Sequence, residues 1–195
     1  MNISLLEPLG VPQSLIDELA KPIIMSGHKF TYYDTKTTDV AELIKRSQGQ
    51  DIVMIANNKY PAEVVEASKD LKMLAVAFTG IDHVGLEACK KNNVTVCNCA
   101  GYSNICVAEQ VLGMAISMMR KFSTCDKAVR EGGTSAGLAG TEIFGKTVGI
   151  IGCGQIGTMT AKLFLAFGAK VIAYARNPRA EVQAMGVKYV SMEEL

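Results

Sequence analysis

Residues 147–157 read TVGIIGCGQIG. Gly152, Gly154 and Gly157 follow an apolar run and precede a helical pattern, and in that setting each glycine has its own task. Gly152 permits the tight turn out of a strand. Gly154 lets the backbone approach a pyrophosphate where a side chain would collide, and Gly157 lets the helix pack closely on the strand. The amides of Gln155 and Ile156, at the start of the helix, then meet the phosphate charge. The chemistry expected of this segment is dinucleotide binding. A glycine turn of purely structural use is the plainer alternative, and the strand on one side and helix on the other weigh against it.

The end of the next strand chooses between dinucleotides. A site for NAD usually places Asp or Glu there, about 20 residues past the glycines, to bind the ribose 2′-hydroxyl. Here the strand ends Tyr174-Ala175, and the turn Arg176-Asn177-Pro178-Arg179 follows. No carboxylate comes before Glu181, which lies beyond Pro178 in the next predicted helix. Two guanidinium groups suit a 2′-phosphate through charge-assisted, bidentate hydrogen bonds. The expectation is NADP over NAD, with two solvated surface arginines as the alternative.

No metal site is expected. Cys97 and Cys99 have a one-residue spacer, and neither His28 nor His83 stands near them; zinc favours wider spacers and histidine partners. The six cysteines are read as buried thiols acting as small apolar residues.

Alternating strand and helix signals must position these groups. Ile3–Leu6, Phe30–Tyr33, Ile52–Ala56, Leu71–Phe78 and Val94–Cys97 read as strands. Ile52–Ala56 is a continuous apolar run, as expected of a strand buried on both faces. Helical patterns lie between them: Gln13–Ala20 after Pro12, a segment capped by Thr38-Asp39, one opened by Pro61, and Val84–Lys91 with Asp82 as its cap. Val107–Arg120 is a long helix, apolar nearly all round, which predicts burial between domains or subunits. Glu131–Gly140 reads as a connection. The rhythm then resumes with strand Thr147–Ile151, helix Ile156–Phe167, strand Lys170–Tyr174, helix Ala180–Met185, strand Val187–Val190 and the start of a further helix. This pattern predicts parallel sheets covered by helices.

Composition bounds the partners. Twenty Lys plus Arg against nineteen Asp plus Glu leave a net charge of +1, so nothing points to nucleic acid or an anionic membrane. At 49 % apolar and 20 % charged, the 195 residues suit a packed globular protein. With no apolar run near the ~20 residues of a membrane span, a cytoplasmic location is expected.

The stretch LKMLAVAFTGIDHVGLEACKKNNVTVCNCAGYSNICVAEQVLGMAISMMR, followed by GKTVGIIGCGQIG, closely resembles the D-isomer-specific 2-hydroxyacid dehydrogenases, a family that includes glyoxylate/hydroxypyruvate reductases and phosphoglycerate dehydrogenases. Its most specific parts are Thr79–Val84, Gly101–Gln110 and Gly145–Gly157. The resemblance implies an α/β fold. A flavodoxin-like substrate domain would occupy residues 1–100. The first half of a Rossmann dinucleotide-binding domain, beginning with an interdomain helix, would occupy residues 101–195. It implies NAD(P)-dependent reduction of a small 2-oxo acid to a D-2-hydroxy acid, and the reverse, in a homodimer. Thr79, Gly80 and Ile81 stand where the family holds the substrate carboxylate on backbone amides, and a glycine-containing turn after a buried strand suits that task. Lys59 matches a loop facing the active cleft. The family's catalytic Arg, Glu and His are expected beyond Leu195, so this chain reads as the N-terminal part of a longer enzyme, inactive by itself. A non-catalytic dinucleotide sensor, similar to corepressors of this fold, is the competing reading.

Overall fold

The computed structural model describes residues 1–195, which divide into two compact units, Met1–Ala100 and Gly101–Leu195. The first contains β1 (Asn2–Leu5), α1 (Gln13–Met25), β2 (Lys29–Tyr32), α2 (Val40–Ser47), β3 (Ile52–Ile55), α3 (Ala62–Ala67), β4 (Met73–Val76), α4 (Leu86–Lys91) and β5 (Thr95–Asn98). Its five parallel strands run in the order β2-β1-β3-β4-β5, the flavodoxin-like arrangement. Only the β1-to-β2 step travels towards one edge; the later steps travel towards the other. Right-handed crossovers therefore set α1 on one face and α2, α3 and α4 on the opposite face.

The two faces are not equally sealed. Leu43 of α2, Val64 and Val65 of α3, and Ala88 and Cys89 of α4 close over Val53, Ile55, Leu74 and Val76. On the α1 face a cavity of about 140 Å³ remains among Leu5, Leu9, Ile16, Leu19, Ile23, Phe30 and Met54. Ile52 and Met54 are consequently only half-buried, and β3 is not covered on both faces as its apolar run predicts.

Local chemistry explains the helix starts. The Asp39 carboxylate accepts the Ala41 amide at 3.1 Å and caps α2 as expected. Asp82 does not cap α4. Asp82 and His83 lie in a turn, and Val84 bridges to Tyr60, because the Tyr60 amide donates to the His83 carbonyl and the Gly85 amide to the Tyr60 carbonyl, both at 2.9 Å. The helix therefore starts only after Gly85, where a Cβ would stand 2.7 Å from the Ala62 nitrogen.

The second unit contains α5 (Asn104–Met119), α6 (Phe122–Arg130), β6 (Thr147–Ile151), α7 (Gln155–Ala166), β7 (Lys170–Tyr174), α8 (Ala180–Ala184) and β8 (Lys188–Tyr189). The three strands are parallel in the order β6-β7-β8, and their core joins Ile150, Ala161, Phe164, Val171, Ala173, Val182 and Val187. The outer edge of β6 is unpaired, and Ile151 at its end is 66 % exposed. Helix α5 packs along α7, yet only Ala108 and Leu112 are buried, while Met114 and Met118 are 54 % and 77 % exposed. Its apolar circumference is thus half covered within the unit. Helix α6 was not expected. Phe122, Cys125 and Val129 are spaced along one side of it, yet it buries no residue, and i,i+4 pairs such as Arg130–Asp126 at 2.8 Å support it. After β8 the chain turns, and Ser191 and Glu194 exchange hydrogen bonds as a capping box does at a helix start. No helix is long and apolar enough to cross a membrane.

Candidate functional site

Strand β6 delivers the chain to Gly152, whose φ of +91° lies in the region that side chains avoid. Its amide donates to the Tyr174 carbonyl at 2.8 Å, which ties the turn to the end of β7. A Cβ built on Gly157 would overlap the Gly152 carbonyl oxygen and touch Ile150, so α7 can lie this close to β6 only with glycine there. A Cβ on Gly154, in contrast, would meet nothing within 4 Å. That glycine faces open space. The first loop-to-helix bond of α7 runs from the Thr158 amide to the Gly154 carbonyl at 2.9 Å, which leaves the amides of Gln155, Ile156 and Gly157 free at the positive end of the helix. No acidic side chain stands in that first turn. The turn can therefore accept an anion brought close to backbone.

Adjacent parallel strands bring the arginine loop beside this turn, since Ile151 pairs with Tyr174 and both strands end there. Arg176 and Asn177 are exposed, and Arg176 has no ion-pair partner. Arg179 differs: its Nη2 lies 2.7 Å from Glu181 Oε1, and its amide donates to the Tyr189 hydroxyl at 3.3 Å. The carboxylate beyond Pro178 thus reaches back into the loop. Cys153, between the first two glycines, is buried. Burial pushes its thiol up, opposed by the Tyr189 hydroxyl and the Arg179 charge.

In the first unit, Thr79, Gly80 and Ile81 follow β4. The Asn98 side chain donates to the Thr79 carbonyl at 2.7 Å, and the amides of residues 79–81 find no acceptor in the chain. Gly80 does not adopt positive φ, and a Cβ there would meet only Asp82 Oδ2 at 4.0 Å. The opening, not backbone strain, is what a side chain would remove. Lys59 is exposed and lies on the loop after β3, which the Tyr60–His83 bond joins to the residues following Ile81.

Other polar groups at these strand ends escaped the sequence reading. Glu7 is 1 % exposed, and its Oε1 accepts the amides of Ala56 and Asn58 at 2.7 and 2.8 Å, so it holds the Lys59 loop against the end of β1. Asn58 is equally buried and donates to the Thr37 carbonyl at 2.7 Å. An acid directly after an apolar strand was the available signal for Glu7. His83 is half-buried, and its Nε2 is buried without a partner. Three of the cysteines read as buried, Cys97, Cys99 and Cys106, are exposed. Cys97 lies on β5, an edge strand, and Cys106 on the weakly covered start of α5. No group of three or more His, Cys, Asp or Glu gathers as a cation site.

A strand, a glycine turn and a helix on a parallel sheet, next to a basic loop at the neighbouring strand end, define a doubly wound α/β protein of the dinucleotide-binding class. Residues 112–195 match the family model for the D-isomer specific 2-hydroxyacid dehydrogenase NAD binding domain. The similarity extends beyond the second unit. It is 35 % identical to a 2-hydroxyacid dehydrogenase homolog of Zymomonas mobilis over 87 % of this chain and 52 % of that protein. It is also 35 % identical to a hydroxypyruvate reductase of Thermotoga maritima, over 79 % of this chain and 50 % of that one. Among solved structures, an acyclic imino acid reductase in complex with NADPH and D-Arg superposes with TM-score 0.85 at 28 % identity, over 100 % of this chain and 61 % of that one. The chain spans about half the length of the curated relatives it matches.

Proposed function

We propose that the chain serves a cytoplasmic oxidoreductase that interconverts a small 2-oxo acid and a D-2-hydroxy acid, and that its second unit binds the nicotinamide dinucleotide, NADP in preference to NAD. The observation that carries the reading is the paired behaviour of two glycines. Gly157 is closed against β6 while Gly154 is open to a ligand, with free helix amides between them. The cofactor, when bound, supplies or accepts the hydride. The amides of Gln155, Ile156 and Gly157 hold the pyrophosphate. Arg176, Asn177 and Arg179 face the adenosine 2′-phosphate, for which no carboxylate at Ala175 is in the way. In the first unit the amides of Thr79, Gly80 and Ile81 hold the substrate carboxylate, and Lys59 adds positive charge. The names of the hydroxypyruvate reductase and the NADPH-bound imino acid reductase agree with this chemistry.

Calorimetric titration tests it. NADPH is expected to bind about tenfold or more tightly than NADH, the return from one well-placed charge-assisted bond to phosphate. Equal affinities would remove the NADP preference, and no binding of either would remove the dinucleotide site. We also infer a homodimer of the full-length enzyme, because Val107, Val111, Met114 and Met118 leave one apolar side of α5 uncovered. Light scattering of the full-length enzyme at micromolar concentration is expected to give twice its subunit mass, and a monomer would refute this.

A further inference from the structure

The two arginines that follow β7 are not equivalent. Arg176 is exposed and has no ion-pair partner, whereas Arg179 is engaged by Glu181 at 2.7 Å. The engagement follows from local geometry. Arg179 precedes α8 with extended backbone angles (φ −113°, ψ 127°), and Glu181 stands in the first turn of that helix. The Tyr189 hydroxyl, accepting the Arg179 amide at 3.3 Å, ties the start of α8 to β8 and fixes where the guanidinium begins. A 2′-phosphate at this loop carries about −2 charge. To pair with Arg179 it must displace the carboxylate or lie beside it, and the second arrangement sets like charges together. Glu181 is also the first carboxylate after the strand end, beyond Ala175, where a dinucleotide site without phosphate selectivity would present its acid.

We propose that Glu181 sets the cofactor preference of this site by competing with the 2′-phosphate for Arg179. Its presence narrows the margin by which NADPH is preferred over NADH. The inference rests on the assignment of the loop as the 2′-phosphate site, and it adds a specificity residue outside the turn itself. The pair is solvent-facing, with side chains 36 % and 59 % exposed, so its competition is modest. Exposed ion pairs of this kind change an equilibrium by about two- to fivefold.

A double-mutant cycle on the 195-residue chain, with NADPH and NADH affinities measured by titration, separates the possibilities. Glu181→Gln keeps the shape and removes the charge. It is expected to tighten NADPH by about two- to fivefold while NADH stays within about twofold. In the Arg179→Ala background the same substitution should lose most of that gain, because the guanidinium it frees is absent. Glu181→Asp, which retains the charge, is expected to keep the original preference. An unchanged NADPH to NADH ratio in Glu181→Gln overturns the proposal. So does a gain that persists in full without Arg179, which would make Glu181 a long-range repulsive charge and not a competitor for that arginine. Failure of the underlying assignment looks different: Arg176→Ala with Arg179→Ala would then leave NADPH binding intact.

Discussion

Two strand ends in this chain present free backbone amides, and they do so under opposite constraints. After β6, glycine is enforced by the protein itself: Gly152 sits at φ +91° and a Cβ on Gly157 would overlap the Gly152 carbonyl. After β4, nothing in the chain requires Gly80 to lack a side chain, since its φ is ordinary and its surroundings are open. The first arrangement couples ligand binding to the packing of a helix on a sheet. The second leaves the binding surface separable from the fold. Substitution should expose this difference directly. Gly157→Val is expected to destabilise the second unit by about 1–3 kcal/mol or more through overpacking and to abolish NADPH binding, seen as a lowered thermal transition and a flat titration. A variant with wild-type melting and binding would show that α7 does not depend on that close approach.

The next effect in size separates charge from shape at the second site. Arg176→Ala with Arg179→Ala should weaken NADPH by about tenfold or more while NADH changes little, because each charge-assisted bond contributes roughly 1.5–3 kcal/mol before entropy losses. Most of the loss is expected from Arg176, since Arg179 already has a carboxylate partner. Gly80→Val provides the matching test in the first unit. Melting should stay unchanged, and affinity for a small carboxylate such as pyruvate should fall several-fold, read from amide chemical shifts of residues 79–81. If melting falls too, Gly80 serves the fold and the contrast fails.

The smallest predicted effect concerns one buried thiol in each unit. Burial raises both Cys89 and Cys153 above the ordinary value of 9.0, but at Cys153 the Tyr189 hydroxyl and the Arg179 charge oppose the rise. A raised thiol stabilises the folded state fully below the unfolded value, and that contribution is lost as pH rises through the folded value. Alkaline titration should therefore modify Cys97, Cys99 and Cys106 rapidly, Cys153 later and Cys89 last, as counted by mass spectrometry after alkylation. NADPH is expected to slow Cys153 alone. Cys89 reacting before Cys153 would contradict the assigned surroundings.

Much of this organisation was legible in the residues. Apolar runs located every strand, and Asp39 and Pro61 marked where α2 and α3 begin, because those signals are local. The glycine turn was legible because each glycine answers a steric demand between neighbours in sequence. Other features depend on partners distant in sequence. The late start of α4 comes from the Tyr60–His83 pairing, and the half-buried β3 comes from the loose fit of α1. Helix α6 spaces Phe122, Cys125 and Val129 along one side over only nine residues, too short a run to stand out from the polar connection that follows it. Glu7 becomes meaningful only when the amides of Ala56 and Asn58 arrive beside it, and Arg179 looked free until α8 turned Glu181 back towards it.

The most direct test of the account is a map of NADPH on the folded chain by amide chemical shifts in a nitrogen-labelled sample. The glycine turn and the arginine loop are predicted to form one dinucleotide site. The largest shifts should therefore fall on Gly154, Gln155, Ile156 and Gly157 and on residues 176–179, and NADH should reproduce the first group while moving the second far less. Saturating NADPH that leaves residues 154–157 unmoved, or NADH that shifts both groups equally, would contradict it.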